Sequence, residues 1–122
     1  MTILIIDDDE SLRNSLRRTL RREGYTVMEA AEGGEGIKVL KNQPVDVVLV
    51  DLFMPGKEGL ETITELRRSH PEIKIIAMSG GGTSGQMDVL KAAKLMGAWW
   101  TLAKPFTREQ LLEAVEMKLA QT

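Results

Sequence analysis

The sequence contains no cysteine and only one histidine, His70, among its 122 residues. A disulfide framework, a thiolate metal site and a cysteine nucleophile are therefore excluded, as is any site that needs two imidazoles. Aromatic residues are scarce, at one Tyr, two Phe and two Trp. Neither sign of charge dominates. Sixteen Lys and Arg against eighteen Asp and Glu leave a formal net charge of −2, without the basic excess by which nucleic-acid-binding domains hold phosphates. No apolar run approaches the ~20 residues of a membrane span. The opening Met1-Thr2-Ile3, soon followed by acids, has none of a signal peptide's basic region, apolar stretch and cleavage site. The expectation is a soluble protein of a reducing compartment, the cytoplasm, with no direct contact to nucleic acid or membrane.

What is present is an ordinary globular composition, 43% hydrophobic and 28% charged, in a length that suits a single domain over 1–122. Short apolar runs alternate with helical stretches. Ile3 to Ile6 reads as a strand closed by acids. From Asp9 to Arg22, Leu12, Leu16 and Leu20 form one apolar stripe on a basic helix, with Asp9 as its N-cap and Gly24 at its end. A mixed strand over 25–29 and a glycine-rich helix over 32–41 follow. Pro44 separates these from a strand over 45–50. Leu60, Ile63 and Leu66 mark a third helix, stopped before Pro71, and Ile73 to Met78 is a fourth strand. Ser84 can cap a helix running to Gly97. Trp99 to Ala103 is a fifth strand, and Thr107 with Gln110 has capping-box spacing ahead of a last helix.

Five strand–helix repeats imply an α/β fold, a doubly wound parallel sheet with helices on both faces. The first, third and fourth strands read as continuous apolar runs and belong in the centre; the second and fifth are more mixed and belong at the edges. That placement matches the flavodoxin-like (βα)5 order 2-1-3-4-5, in which ligands bind outside the carboxyl ends of the strands. At those ends stand Asp7-Asp8-Asp9-Glu10, Asp51, Ser79 and Lys104-Pro105. Each alone would be a turn residue, a cap or a solvated charge. Jointly, Asp7, Asp8 and Asp51 converge on one edge, and packed carboxylates need a cation to stay ionised. Oxygen ligands without His or Cys suit Mg²⁺ and phosphoryl chemistry. A carboxylate can accept a phosphoryl group, with Mg²⁺, Lys104 and the Ser79 hydroxyl bearing on the phosphoryl oxygens.

The motifs Ile5-Ile6-Asp7-Asp8-Asp9 with Leu12-Arg13, Asp51-Leu52-Phe53-Met54-Pro55 with Gly59, Met78-Ser79-Gly80, Gly97-Ala98 and Lys104-Pro105-Phe106 span nearly the whole chain. Together they resemble the receiver domain of bacterial two-component response regulators. The resemblance implies that Asp51 accepts a phosphoryl group from the phosphohistidine of a sensor histidine kinase or phosphotransfer protein. It implies Mg²⁺ held by Asp8, Asp51 and the backbone carbonyl of Phe53, with Asp7 acting through water. Ser79 takes the place of the family's switch hydroxyl and Lys104 that of its phosphate-binding lysine, beside a cis peptide before Pro105. Such a domain is a signalling switch rather than an enzyme of external substrates, and its fourth helix, fifth strand and fifth helix form the output face. The downstream partner is an effector protein, or an output domain of a longer regulator; a homodimer through that face is a further expectation.

Thr101 departs from the pattern, standing where the family usually has Tyr or Phe, and cannot act as the aromatic rotor of a Tyr-type switch. Trp99 and Trp100 stand where small or polar residues are usual. Strand alternation sends them to opposite faces, either packed under the helices or presented to a partner. The pairs Arg17-Arg18 and Arg21-Arg22 read as a solvated helix face, His70 as a surface residue, and Gly80 to Gly85 as a loop that lets Ser79 approach the phosphoryl group. Two other functions compete. A haloacid-dehalogenase-type phosphatase could use Asp7, Asp9, Ser79 and Lys104, but it would leave Asp51 without a role. A pseudo-receiver would bind partners with an affinity indifferent to phosphate and Mg²⁺.

Overall fold

The computed structural model describes residues 1–52, 58–79 and 86–120. In chain order the elements are β1 (Thr2–Ile6), α1 (Glu10–Arg22), β2 (Thr26–Ala30), α2 (Gly33–Asn42), β3 (Val47–Asp51), α3 (Glu58–Ser69), β4 (Lys74–Ser79), α4 (Gln86–Met96), β5 (Trp100–Ala103) and α5 (Arg108–Ala120). The strands pair in parallel in the order β2-β1-β3-β4-β5. Fold class and order are those expected from the alternation of runs.

The period-two alternation of strand side chains divides the core into two layers. Ile3, Ile5, Val47, Leu49, Ile76 and Met78 pack with Leu16 and Leu20 of α1 and Leu111 and Val115 of α5. Leu4, Ile6, Val48, Val50, Ile75 and Ala77 pack on the other face with Leu40, Ile63, Leu66 and Ala93. Burying each large side chain is worth about 1.5–3 kcal/mol, so the three central strands carry most of the sheet's stability.

Local chemistry sets the boundaries. The Asp9 carboxylate accepts from the Leu12 amide at 3.1 Å, capping α1 as expected. At its other end the Gly24 amide reaches the Arg21 carbonyl with the glycine at φ 92°, a conformation that costs other residues about 1–2 kcal/mol. Thr107 and Gln110 exchange the two bonds of a capping box, 2.8 and 3.0 Å. Four strands begin later than their apolar runs suggest, β4 at Lys74 because the Ile73 amide is taken by the His70 carbonyl. The Tyr25 amide is taken by the Leu20 carbonyl, so β2 starts at Thr26. Asp46 joins β1 through both its amide and its carboxylate, to Thr2, and β3 proper starts at Val47. β5 begins at Trp100, although the Trp99 amide already bonds to the Ile75 carbonyl at 2.6 Å.

Candidate functional site

The ladder hydrogen bonds continue past the strand ends and carry the acids with them. The Asp7 amide donates to the Ala30 carbonyl at 3.1 Å, one step beyond β1, and the Leu52 amide donates to the Met78 carbonyl at 2.8 Å, just after Asp51. β1 and β3 are adjacent, so the two carboxylates face each other at the sheet's carboxyl edge. Gly59, in the first turn of α3, lies where an added Cβ would sit 2.7 Å from the Asp51 carbonyl oxygen. Only glycine lets α3 close against the backbone behind Asp51.

Asp7 is fully buried and Asp51 is 3% exposed. The Lys104 ammonium enters between them, donating to Asp7 Oδ2 at 3.2 Å and lying 3.4 Å from Asp51 Oδ1. Asp7 Oδ1 accepts from the Asp9 amide at 2.9 Å. Lys104 follows β5, its own amide bonded to the Ser79 carbonyl at 2.6 Å, and the Lys104–Pro105 peptide is cis. Ser79, the last residue of β4, is wholly buried. Strands β1, β3, β4 and β5 thus each deliver a chemistry-bearing residue to one edge.

Asp7, Asp8 and Asp51 each offer a carboxylate oxygen, all within 4.8 Å of one another. When ionised, three carboxylates beside one ammonium leave two negative charges, the charge of one divalent cation. All donors are hard oxygens, the set preferred by Mg²⁺. The residues therefore fit such an ion. Burial pushes the Asp7 carboxyl above its ordinary value and the neighbouring Asp51 adds to this; the Asp9 amide and Lys104 oppose it.

The remaining expected residues divide. Phe53, whose carbonyl was expected to bind the ion, lies outside the described residues, as do Gly80 to Gly85, including Ser84. Thr101 is half-buried on β5 opposite Ala77. Trp100 packs against the layer under α1 and α5. Trp99 belongs to neither layer; the Lys74 ammonium sits 4.2 Å from its ring centroid, and Lys94 donates to its carbonyl at 2.7 Å. Asp9, a candidate in the phosphatase alternative, caps α1 instead.

One set of residues was not anticipated. Arg13 donates to the Asp7 carbonyl at 2.7 Å and to Glu29 of β2 at 3.3 Å, and Arg17 pairs with Glu29 at 2.7 Å. Arg17 is thus ion-paired at the α1–β2 seam, not part of a solvated face. The signal was Glu29, a carboxylate inside a strand opposite Ile5, whose side of the sheet is covered by α1.

A parallel sheet of this order, with buried acids, a lysine and a hydroxyl at one edge, defines a flavodoxin-like α/β fold with an acidic pocket at the carboxyl ends of its strands. Residues 3–116 match the response regulator receiver domain, and the chain belongs to that family. It is similar to sporulation initiation phosphotransferase F of Bacillus subtilis, 31% identical over 117 residues, covering 96% of this chain and 92% of that protein. It is also similar to sensor kinase CckA of Brucella abortus, 36% identical over 97% of this chain but 12% of the kinase. Response regulator MprA of a Mycobacterium species is 36% identical over 98% of this chain and 51% of its own length. A CheY-like receiver domain protein from Methanospirillum hungatei superposes with a TM-score of 0.88 at 31% identity, covering 98% of this chain and 94% of that one. The chain therefore spans nearly all of some relatives and one part of longer ones. Among the described residues no helix is long and apolar enough to cross a membrane.

Proposed function

We propose that residues 1–122 act as one receiver unit that accepts a phosphoryl group on Asp51 from the phosphohistidine of a sensor histidine kinase or phosphotransfer protein, in the cytoplasm. The observation that carries this reading is the Lys104 ammonium held between two buried carboxylates from different strands, 3.2 and 3.4 Å away. An Asp51 carboxylate oxygen attacks phosphorus, the bond from phosphorus to the donor's imidazole nitrogen breaks, and the imidazole leaves with that electron pair. The product is an acyl phosphate on Asp51. Lys104 is near enough to neutralise charge on its oxygens, and the Ser79 hydroxyl follows the strand position adjacent to Asp51. Asp8 and Asp51 would hold Mg²⁺ directly, with the Phe53 carbonyl, and Asp7 would hold it through water. When bound, Mg²⁺ supplies positive charge against the phosphoryl oxygens.

The signal then passes through α4, β5 and α5 to an effector, an output domain of a longer regulator or a second copy of the chain. With Thr101 in place of an aromatic rotor, Ser79, Trp99 and Trp100 are the residues through which that face would respond.

The test is intact-mass analysis after incubation with a small-molecule phosphodonor and Mg²⁺, with Asp51→Asn in parallel. One Mg²⁺-dependent, hydroxylamine-labile phosphoryl adduct on the wild type, absent from the variant, is expected. Mg²⁺ binding without any adduct would overturn the reading in favour of a phosphorylation-independent adaptor.

A further inference from the structure

Asp7 is restrained at every polar group. Its amide is held by the Ala30 carbonyl at 3.1 Å. Its carboxylate takes the Asp9 amide at 2.9 Å and Lys104 at 3.2 Å. The third restraint, on its carbonyl, comes from Arg13 at 2.7 Å. Arg13 is not a dangling surface cation. Its side chain is 16% exposed and its Nε lies 3.3 Å from Glu29 Oε1, while the other oxygen of Glu29 is taken by Arg17 at 2.7 Å. Glu29 sits on β2 opposite Ile5, so the guanidinium joins three elements: the end of β1, the interior of β2 and the first turns of α1. Asp8, the exposed member of the acidic cluster, is peptide-bonded to the carbonyl that Arg13 grips. A rotation of that peptide would swing Asp8 away from Asp7 and Asp51.

We propose that Arg13 is a positioning residue for the cation site, fixing the Asp7–Asp8 peptide through the fork between the Asp7 carbonyl and Glu29. This rests on the reading of the acidic pocket as a Mg²⁺ site. Two physical effects of Arg13 oppose each other. Its positive charge near the pocket disfavours a cation, whereas its geometry holds the acidic turn in the binding shape. Glu29 cancels much of the charge, and a guanidinium fork matches a carbonyl and a carboxylate in a way an ammonium cannot. Placement therefore wins over charge. Groups that orient metal ligands without touching the metal typically change affinity 10–100-fold when removed.

The test measures Mg²⁺ affinity by titration calorimetry, without any phosphodonor, for the wild type, Arg13→Lys, Arg13→Gln and Glu29→Gln. Thermal denaturation in Mg²⁺-free buffer shows that each variant is folded. A rise in the Mg²⁺ Kd of roughly tenfold is expected for both Arg13 variants, Lys included, and a smaller rise for Glu29→Gln, which disturbs the fork from β2 and leaves α1 intact. A purely structural role would lower Tm and leave the Kd of the folded protein unmoved. Unchanged affinity in both Arg13 variants overturns the inference. So does a change confined to Arg13→Gln in the direction of tighter binding, since charge alone would then be acting. A wild type that binds no Mg²⁺ overturns the pocket reading and the inference with it.

Discussion

The two ends of the sheet handle their polar groups in opposite ways. At the amino end Asp46, Arg67 and Lys74 are each matched to a dipole or ring that stabilises the charge. Asp46 exchanges hydrogen bonds with Thr2 through carboxylate and amide. Arg67, from the last turns of α3, donates to the carbonyls of Pro71, Ile73 and Gly97 at 2.6, 3.2 and 2.8 Å. It thereby ties α3 to the entry of β4 and the turn after α4. Lys74 covers the Trp99 ring. At the carboxyl end, by contrast, two carboxylates are taken out of water around a single ammonium and a third is added at the rim. The first arrangement stabilises the fold as it stands. The second, when ionised, leaves two negative charges uncompensated, a local cost of the kind that stability elsewhere in a fold carries.

If that division is right, substitutions at the two ends should separate stability from chemistry. The largest effect is expected for Lys104→Ala. Removing a charged donor aimed at developing charge typically slows reaction about 10²–10³-fold, so phosphorylation of Asp51 at saturating Mg²⁺ should fall by at least a hundredfold in an intact-mass time course. A rate near that of the wild type would remove Lys104 from the chemistry. Next comes Arg67→Ala at the other end. Three carbonyls lose a charged donor, at a net cost of about 3 kcal/mol. Tm should drop by about 10 °C for a chain of this size, with Mg²⁺ affinity and phosphorylation rate unchanged. A matching loss of Mg²⁺ affinity would show that the two ends are coupled and break the comparison.

Legibility differed between the ends for the same physical reason. Strands buried on both faces must be apolar throughout, so Val47 to Val50 and Ile75 to Met78 announce themselves, and the first polar residue after each run marks a strand end. Asp7, Asp51 and Ser79 were legible in this way, and Lys104 by its place after the fifth run. Asp9 was recognisable as a cap because it stands just ahead of the helical stripe that starts at Leu12, where a short carboxylate can reach a free amide of the first turn. Arg13, Arg17 and Arg67 were not legible as anchors. Helical periodicity places the Cα of a residue on a polar face, but a guanidinium on a long apolar stem reaches back across the seam to carbonyls and carboxylates of other elements. Such partners are far apart in the sequence, as Arg67 and Gly97 are, and no local pattern records them. Trp99 escaped for a related reason. Alternation assumes a residue is inside its strand, and β5 begins one residue later.

The smallest predicted effect tests the cost of the carboxyl end directly. In Mg²⁺-free buffer at pH 7, Asp7→Asn should raise stability by about 1 kcal/mol, what remains of a like-charge repulsion of about 4 kcal/mol once the lost pairing with Lys104 is set against it. The sign follows from the Asp7 carboxyl, which burial first and Asp51 second lift above its ordinary 3.8 in spite of the Asp9 amide and Lys104. A group whose pKa is raised by folding binds its proton more tightly in the folded state. Its stabilising contribution is complete below the ordinary value and is lost as pH rises through the raised one. Above the raised value the wild type therefore carries the cost of a buried charge, while asparagine keeps the shape and an acceptor for the Asp9 amide without it. As pH falls through the raised value the wild type regains its proton, and the gap between the two proteins should close. Added Mg²⁺ should act in the same direction at neutral pH, stabilising the wild type more than the variant. Thermal denaturation of both proteins across pH 4–8, with and without Mg²⁺, measures all three trends. Were Asp7→Asn less stable at pH 7 without Mg²⁺, the pairing with Lys104 would outweigh burial, and the carboxyl end would be as self-sufficient as the amino end.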